Sequence, residues 1–167
     1  PTSGASVYQG IARSGTGSAA TVTGASFPPD LVIGKGRNSG ATTSAAFTDK
    51  LRGIRTELYS AATATEVVEG TSLGAVNAFT MNGFNLDADT SGGYYNWSAG
   101  TYINWCFGRA PGFFDVVCYT GTGANTTQTH NLGVVPQLMI VKCRSNAYNW
   151  PVYDSFNGAT NATYLNL

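Results

Sequence analysis

Apolar positions in this chain come in short runs. Residues 7–12, 31–33, 102–107, 114–119, 138–142 and 150–153 are rich in β-branched and aromatic side chains, the composition of strands rather than helices. Clusters of Gly, Asn, Ser and Thr separate them and predict turns. "LVI" at 31–33 and "LMIV" at 138–141 are continuous rather than alternating, which predicts strands covered on both faces. Residues 102–107 alternate. Tyr102, Asn104 and Cys106 fall on one face, and Ile103, Trp105 and Phe107 on the other, which reads as core. Residues 48–64 come nearest to a helical pattern. Gly53 and Thr56 interrupt it and predict a turn followed by a strand. The fold class expected is all-β, a β-sandwich or jelly roll.

The pattern recurs. Gly15-Thr16-Gly17 and Gly121-Thr122-Gly123 stand 106 positions apart, as do Thr21 and Thr127. Each Gly-Thr-Gly reads as a hairpin tip between two strands. Leu31, Ile33, Lys35 and Arg37 meet Leu138, Ile140, Lys142 and Arg144 at an offset of 107, and Asp49, Gly53 and Tyr59 meet Asp154, Gly158 and Tyr164 at 105. The expected organisation is a repeat of about 106 residues, the size of a small domain. Residues 1–112 form a first unit, with an A block (1–60) and a B block (61–112). Residues 113–167 form a second A block, A′. Either the chain is a window onto a longer repeat protein, or A′ completes the fold that A and B begin. The look of the last residues, 164–167, as mid-strand favours the first reading.

Charge narrows the function classes. Nine Lys and Arg balance nine Asp and Glu, so no basic field draws in nucleic acid or anionic lipid. Charged residues are 11% of the chain, against roughly 25% in ordinary globular domains. A neutral polar surface suits a chain that meets neighbours in an assembly. No run approaches the roughly 18 apolar residues of a membrane span. Cys106, Cys118 and Cys143 form no CxxC pair. They are expected as free thiols, with a Cys106–Cys118 bridge as the alternative.

Candidate chemistry is sparse. His130 is the single histidine, in no catalytic pattern, and reads as structural. Lys35 and Arg37 lie two apart on one strand face, as do Lys142 and Arg144. Asp49 and Asp154 are their expected ion-pair partners, recurring because the fold recurs. Asp87, Asp89 and Ser91 have D-x-D-x-S spacing, a candidate calcium site, although Ser98 stands where a calcium loop needs its Glu. Two carboxylates, Asp87 with Asp89 or Glu66 with Glu69, are candidates for glycoside hydrolysis. Tyr94, Tyr95 and Trp97 are expected at the surface, in contact with a glycan or a neighbouring subunit.

"GTYINWCFGRAPGFFDVVCYTGTGANTTQTHNLGVVPQLMIVKCRSNAYNWPVYDS" (residues 100–155) resembles a module of tailed-bacteriophage virion proteins, the tail-fibre and structural proteins of marine phages. The likeness rests on the Tyr-x-x-Trp-Cys strand, the Phe-Asp-x-Val-x-Tyr-Thr-Gly strand and turn, His-Asn-Leu-Gly, and Pro-x-Leu-x-Ile-Val-Lys-x-Arg. "PPDLVIGKGRN" and "FTMNGFNLDADTSGG" fit the same module. Gly34 and Gly36 depart from it, where bulkier residues are usual. The resemblance implies a virion structural protein with no catalytic residues. The expected role is a tail-fibre or other appendage module with possible host-surface attachment. The alternatives are a capsid decoration protein and a carbohydrate-binding or glycan-cleaving module. Implied partners are other virion subunits, copies of itself (a trimer, since phage fibres are commonly threefold) and a host-surface glycan, with no nucleic acid and no membrane. The implied location is the virion, assembled in the bacterial cytoplasm. No cofactor is implied beyond the candidate calcium.

Overall fold

The computed structural model describes all residues except 2, 39–43, 93, 94 and 162. A 3-10 turn, Gly4–Ser6, precedes twelve strands among the described residues: β1 (Tyr8–Ser14), β2 (Ala20–Thr23), β3 (Leu31–Gly36), β4 (Ala46–Asp49), β5 (Thr56–Tyr59), β6 (Val67–Val68), β7 (Val76–Thr80), β8 (Gly83–Leu86), β9 (Thr101–Phe107), β10 (Leu138–Ile140), β11 (Pro151–Asp154) and β12 (Thr163–Tyr164). The protein is all-β. One sheet runs β1-β9-β3-β4-β5-β6, a second β2-β8-β7 and a third β10-β11-β12. Every pairing is antiparallel.

The first two sheets form a sandwich. Val32 of β3, Cys106 of β9 and Ile11 of β1 pack against Val22 of β2, Val76 of β7, and Phe84 and Leu86 of β8. Each large side chain taken fully out of water there contributes roughly 1.5–3 kcal/mol. The core face of β9 is the opposite of the one its composition suggests. Tyr102, Asn104 and Cys106 are buried, and Ile103, Trp105 and Phe107 are half-buried on the outer face. The polar atoms of the inner face are tolerated because they are paired. Asn104 Oδ1 accepts from Arg13 Nε at 2.9 Å, and the Tyr102 hydroxyl accepts from the Trp97 amide at 3.1 Å.

Gly15-Thr16-Gly17 is a corner rather than a hairpin tip. It carries the chain from β1, in the large sheet, to β2, in the small one. The loop docks on the 96–100 segment through Gly15 N to Gly100 O at 2.8 Å and Gly17 N to Asn96 O at 2.7 Å. A Cβ on Gly15 would sit 1.9 Å from the Trp97 carbonyl oxygen, so only glycine allows the approach.

The B block supplies the strand that closes the first unit. β9 lies between β1 and β3, pairing Tyr8↔Phe107 on one side and Leu31↔Phe107 on the other. The meander β10-β11-β12 has the order and registers of β3-β4-β5. Leu31↔Asp49 corresponds to Leu138↔Asp154, and Ala46↔Tyr59 to Pro151↔Tyr164. The loops agree as well. Asp49 Oδ1 accepts from the amides of Leu51 and Arg52, and Asp154 Oδ1 from those of Phe156 and Asn157. The agreement ends there. Residues 115–137 hold no strand, although 114–119 were expected to form one, while the corresponding 9–30 contain β1 and β2. β10 is exposed throughout, not covered on both faces.

Candidate functional site

The outer face of the large sheet carries a shallow, open depression. Tyr8, Ile33, Phe47, Trp105 and Phe107 line a groove of about 410 Å³, with Ala45, Ser60 and Leu165 completing the lining. The strand registers explain the gathering. Gly10 faces Trp105 and Ile33 faces Trp105 across the ladder, and Ile33 also faces Phe47. Gly10 leaves room beside the indole. Tyr8 and Phe107 pack with ring centroids 5.1 Å apart, and Phe107 and Phe114 at 5.2 Å. The lining bears no charge. Its polar side-chain groups are the Tyr8 and Ser60 hydroxyls and the Trp105 indole N–H. A sugar site needs several convergent hydrogen-bonding groups beside its stacking ring. This lining offers apolar contact and few hydrogen-bonding groups.

The groove was not legible in the sequence, because Ile103, Trp105 and Phe107 read as core. The expected surface aromatics lie elsewhere. Tyr95 is buried, its ring stacked on Tyr59 at 6.5 Å and its hydroxyl donating to the Ser44 carbonyl. It is unavailable to a glycan because it closes the gap between β5 and the 95–100 loop. Trp97 is half-buried. Tyr94 lies outside the described residues. Next to Tyr95, Asn96 is 0% exposed. Its side chain ties Thr16, Ser18 and Asp87 to Arg13. Arg13 also donates to the Tyr95 carbonyl and lies over the Tyr102 ring at 4.6 Å. Burial lowers its pKa to about 10.

The expected ion pairs are replaced by others. The register puts Asp49 opposite Leu31, four residues along β3 from Lys35, roughly 13 Å away at about 3.3 Å per residue. Asp49 instead pairs with Arg52 at 2.5 Å. Asp154 likewise lies opposite Leu138, remote from Lys142, and its Oδ2 accepts from Asn157 Nδ2 at 2.8 Å. Arg37 is exposed and Lys35 half-buried. Lys142 and Arg144 join the second A block to the first unit. Lys142 Nζ donates to the Thr63 carbonyl at 3.0 Å, and Arg144 makes a two-pronged bond to Glu66 at 2.7 and 2.8 Å. Arg52 reaches Glu66 from the other side at 3.2 Å, completing a chain Asp49–Arg52–Glu66–Arg144. Beside it Trp150 is buried, packs on Phe47 at 5.2 Å and donates to the Ala62 carbonyl at 3.0 Å.

The carboxylates proposed for metal or sugar chemistry are engaged within the protein. Asp87 is buried and gripped by Arg55 at 2.6 and 3.0 Å and by Asn77 at 2.7 Å, which hold its pKa below the usual carboxylate range. Asp89 is buried and accepts from the Gly92 amide at 3.0 Å and the Asn96 amide at 3.3 Å. Ser91 is exposed. Of the D-x-D-x-S residues, the two carboxylates turn inward and only the serine faces solvent. No group of three His, Cys, Asp or Glu comes together among the described residues.

A different carboxyl pair emerges. Glu57 and Tyr59, two apart on β5, share a side, and the Tyr59 hydroxyl lies 3.0 Å from Glu57 and bonds Glu69 as well. Burial pushes the Glu57 pKa up to about 8. The Tyr59 hydroxyl is placed to donate to either carboxyl group, and its single proton serves one at a time. At 1% exposure Glu57 has no open path to a substrate.

His130 is exposed, its Nδ1 accepting from the Leu132 amide at 3.3 Å. Cys106 is buried, Cys118 exposed and Cys143 half-buried, all three free. No helix among the described residues is long and apolar enough to cross a membrane.

Residues 4–167 match the family model described as Domain of unknown function (DUF7483). The chain belongs to that family. No curated protein and no solved structure matches it. Within this member of the DUF7483 family, the groove and the exposed second A block are the features that point outward.

Proposed function

We propose that this chain is a bacteriophage virion structural protein, a β-sandwich module of a tail fibre or other appendage that works by assembly with copies of itself and other virion subunits. The observation that carries the reading is the uncharged aromatic groove on the outer sheet face, on a chain whose net charge is zero. Such a surface associates rather than repels, and its chemistry favours polypeptide over glycan. The exposed apolar residues of the second A block, among them Val117, Tyr119, Val134 and Val135, extend the same character. The resemblance to phage virion modules supplies the setting. Host-surface attachment, if the module performs it, uses residues other than Tyr95.

Gold-labelled antibody against the purified chain, viewed by electron microscopy on phage particles that carry its gene, tests this. Label on fibres is the expected result. Label on the head shell moves the role to capsid decoration, and particles free of label overturn it.

A further inference from the structure

Among the described residues, β10 is an edge strand with no strand on one side. Its counterpart β3 has one there, and that neighbour is β9. The register Leu31↔Phe107, Val32↔Cys106, Ile33↔Trp105 and Gly34↔Asn104 fixes how they meet. The rest of the meander agrees pair for pair with its counterpart, so over Leu138–Ile140 the open side of β10 has the geometry that β3 offers to β9; beyond it the Arg144 carbonyl already accepts from the Glu66 amide at 2.9 Å.

The apolar surface agrees with the vacancy. Leu31 and Val32 are 7% and 1% exposed, whereas Leu138 and Met139 are 60% and 43% exposed. Ile140 and Val141 are exposed too. An apolar edge strand left in water is a template for another strand. In the segment corresponding to β1, Phe114 makes an isolated bridge to Ala110 and residues 115–120 join no strand. In the first unit β1 bonds only to β9, so without a strand of that kind its counterpart has no ladder to join.

We infer that the free edge of β10 is an acceptor for an extended segment with the β9 pattern, Thr-Tyr-Ile-Asn-Trp-Cys-Phe, supplied by a B-type block other than residues 61–112. The segment adds antiparallel, with its Phe opposite Leu138 and its Trp opposite Ile140. Main-chain bonds supply the affinity, and the alternating side chains set the register. Residues 114–120 then pair along its far side. The inference rests on register and not on the virion reading.

The probe is a synthetic peptide of residues 100–108, added to the full chain under reducing conditions. Amide hydrogen exchange is followed residue by residue. At saturating peptide, exchange at residues 138–141 is expected to slow by about tenfold or more. The β7–β8 hairpin, in another sheet, serves as the unchanged control. A peptide carrying Trp105→Pro lacks an N–H that faces β10 in this register, cannot complete the ladder and is expected to have no effect. Unchanged rates with the native peptide overturn the inference, as does equal protection by the proline peptide. Protection that appears without peptide as protein concentration rises makes the occupant a second copy and also overturns the assignment. Particle labelling is unaffected by any of these results, so failure here and failure of the virion reading are told apart.

Discussion

Glu57 places a titratable carboxyl inside the sandwich, beside a second carboxyl that shares its tyrosine. Its pKa, about 8 in the folded protein, exceeds the 4.5 of the free side chain. Between those values the folded state binds more protons than the unfolded one, so stability falls as pH rises. The contribution is fully present below about pH 4.5 and is lost as pH passes through 8. Glu57→Gln keeps the shape and removes the titration. Urea unfolding at pH 5, 7 and 9 is expected to show the parent losing on the order of a few kcal/mol across that range and the variant much less. A parent curve as flat as the variant's would contradict the assignment. Glu57 was not legible in the sequence, because a single acid in a strand gives no sign of which way it faces. Arg13 and Asn96 were hidden likewise. Their burial depends on partners some 80 to 90 residues away.

At the scale of elements, the strands whose partners lie within the chain were legible. β1, β3, β9 and β11 form close to where apolar, β-branched composition places them. Residues 114–119 have the same composition and form none, because a strand also needs a ladder. The pair Gly15 and Gly121 measures this difference. A Cβ on Gly15 collides with the Trp97 carbonyl, and a Cβ on Gly121 meets nothing within 4 Å. Gly15→Ala is expected to cost about 2 kcal/mol or more, and Gly121→Ala less than about 0.5 kcal/mol, in urea unfolding. Equal costs would mean that the 121–123 turn is docked like its counterpart. Trp150 is the anchor of the second A block. Trp150→Ala removes a buried indole, a change typically costing about 3–5 kcal/mol. It is expected to raise proteolytic cleavage after residue 112 while leaving the first unit intact. Cleavage spread evenly through both units would contradict that division.

The whole molecule presents two parts to its surroundings, a closed sandwich and an exposed meander. The sandwich is held by its own core and by the buried Arg13–Asn96 knot. The outer groove and the second A block hold apolar surface that a neutral chain does nothing to keep apart. The sequence made the neutral surface visible, but not where the apolar area would collect, since that followed from which face of β9 turned inward. Asp87 is already gripped by Arg55 and Asn77, so self-association is expected to be indifferent to chelators. Trp105→Ala, on the groove floor, is expected to weaken association without unfolding the sandwich, with sedimentation velocity as the readout. The most direct measurement is the mass of the purified chain in solution, by light scattering over a range of concentrations, with and without chelator. The account predicts a species of three times the 17.4 kDa chain mass, unchanged by chelator. A monomer at every concentration would contradict assembly through the outer groove.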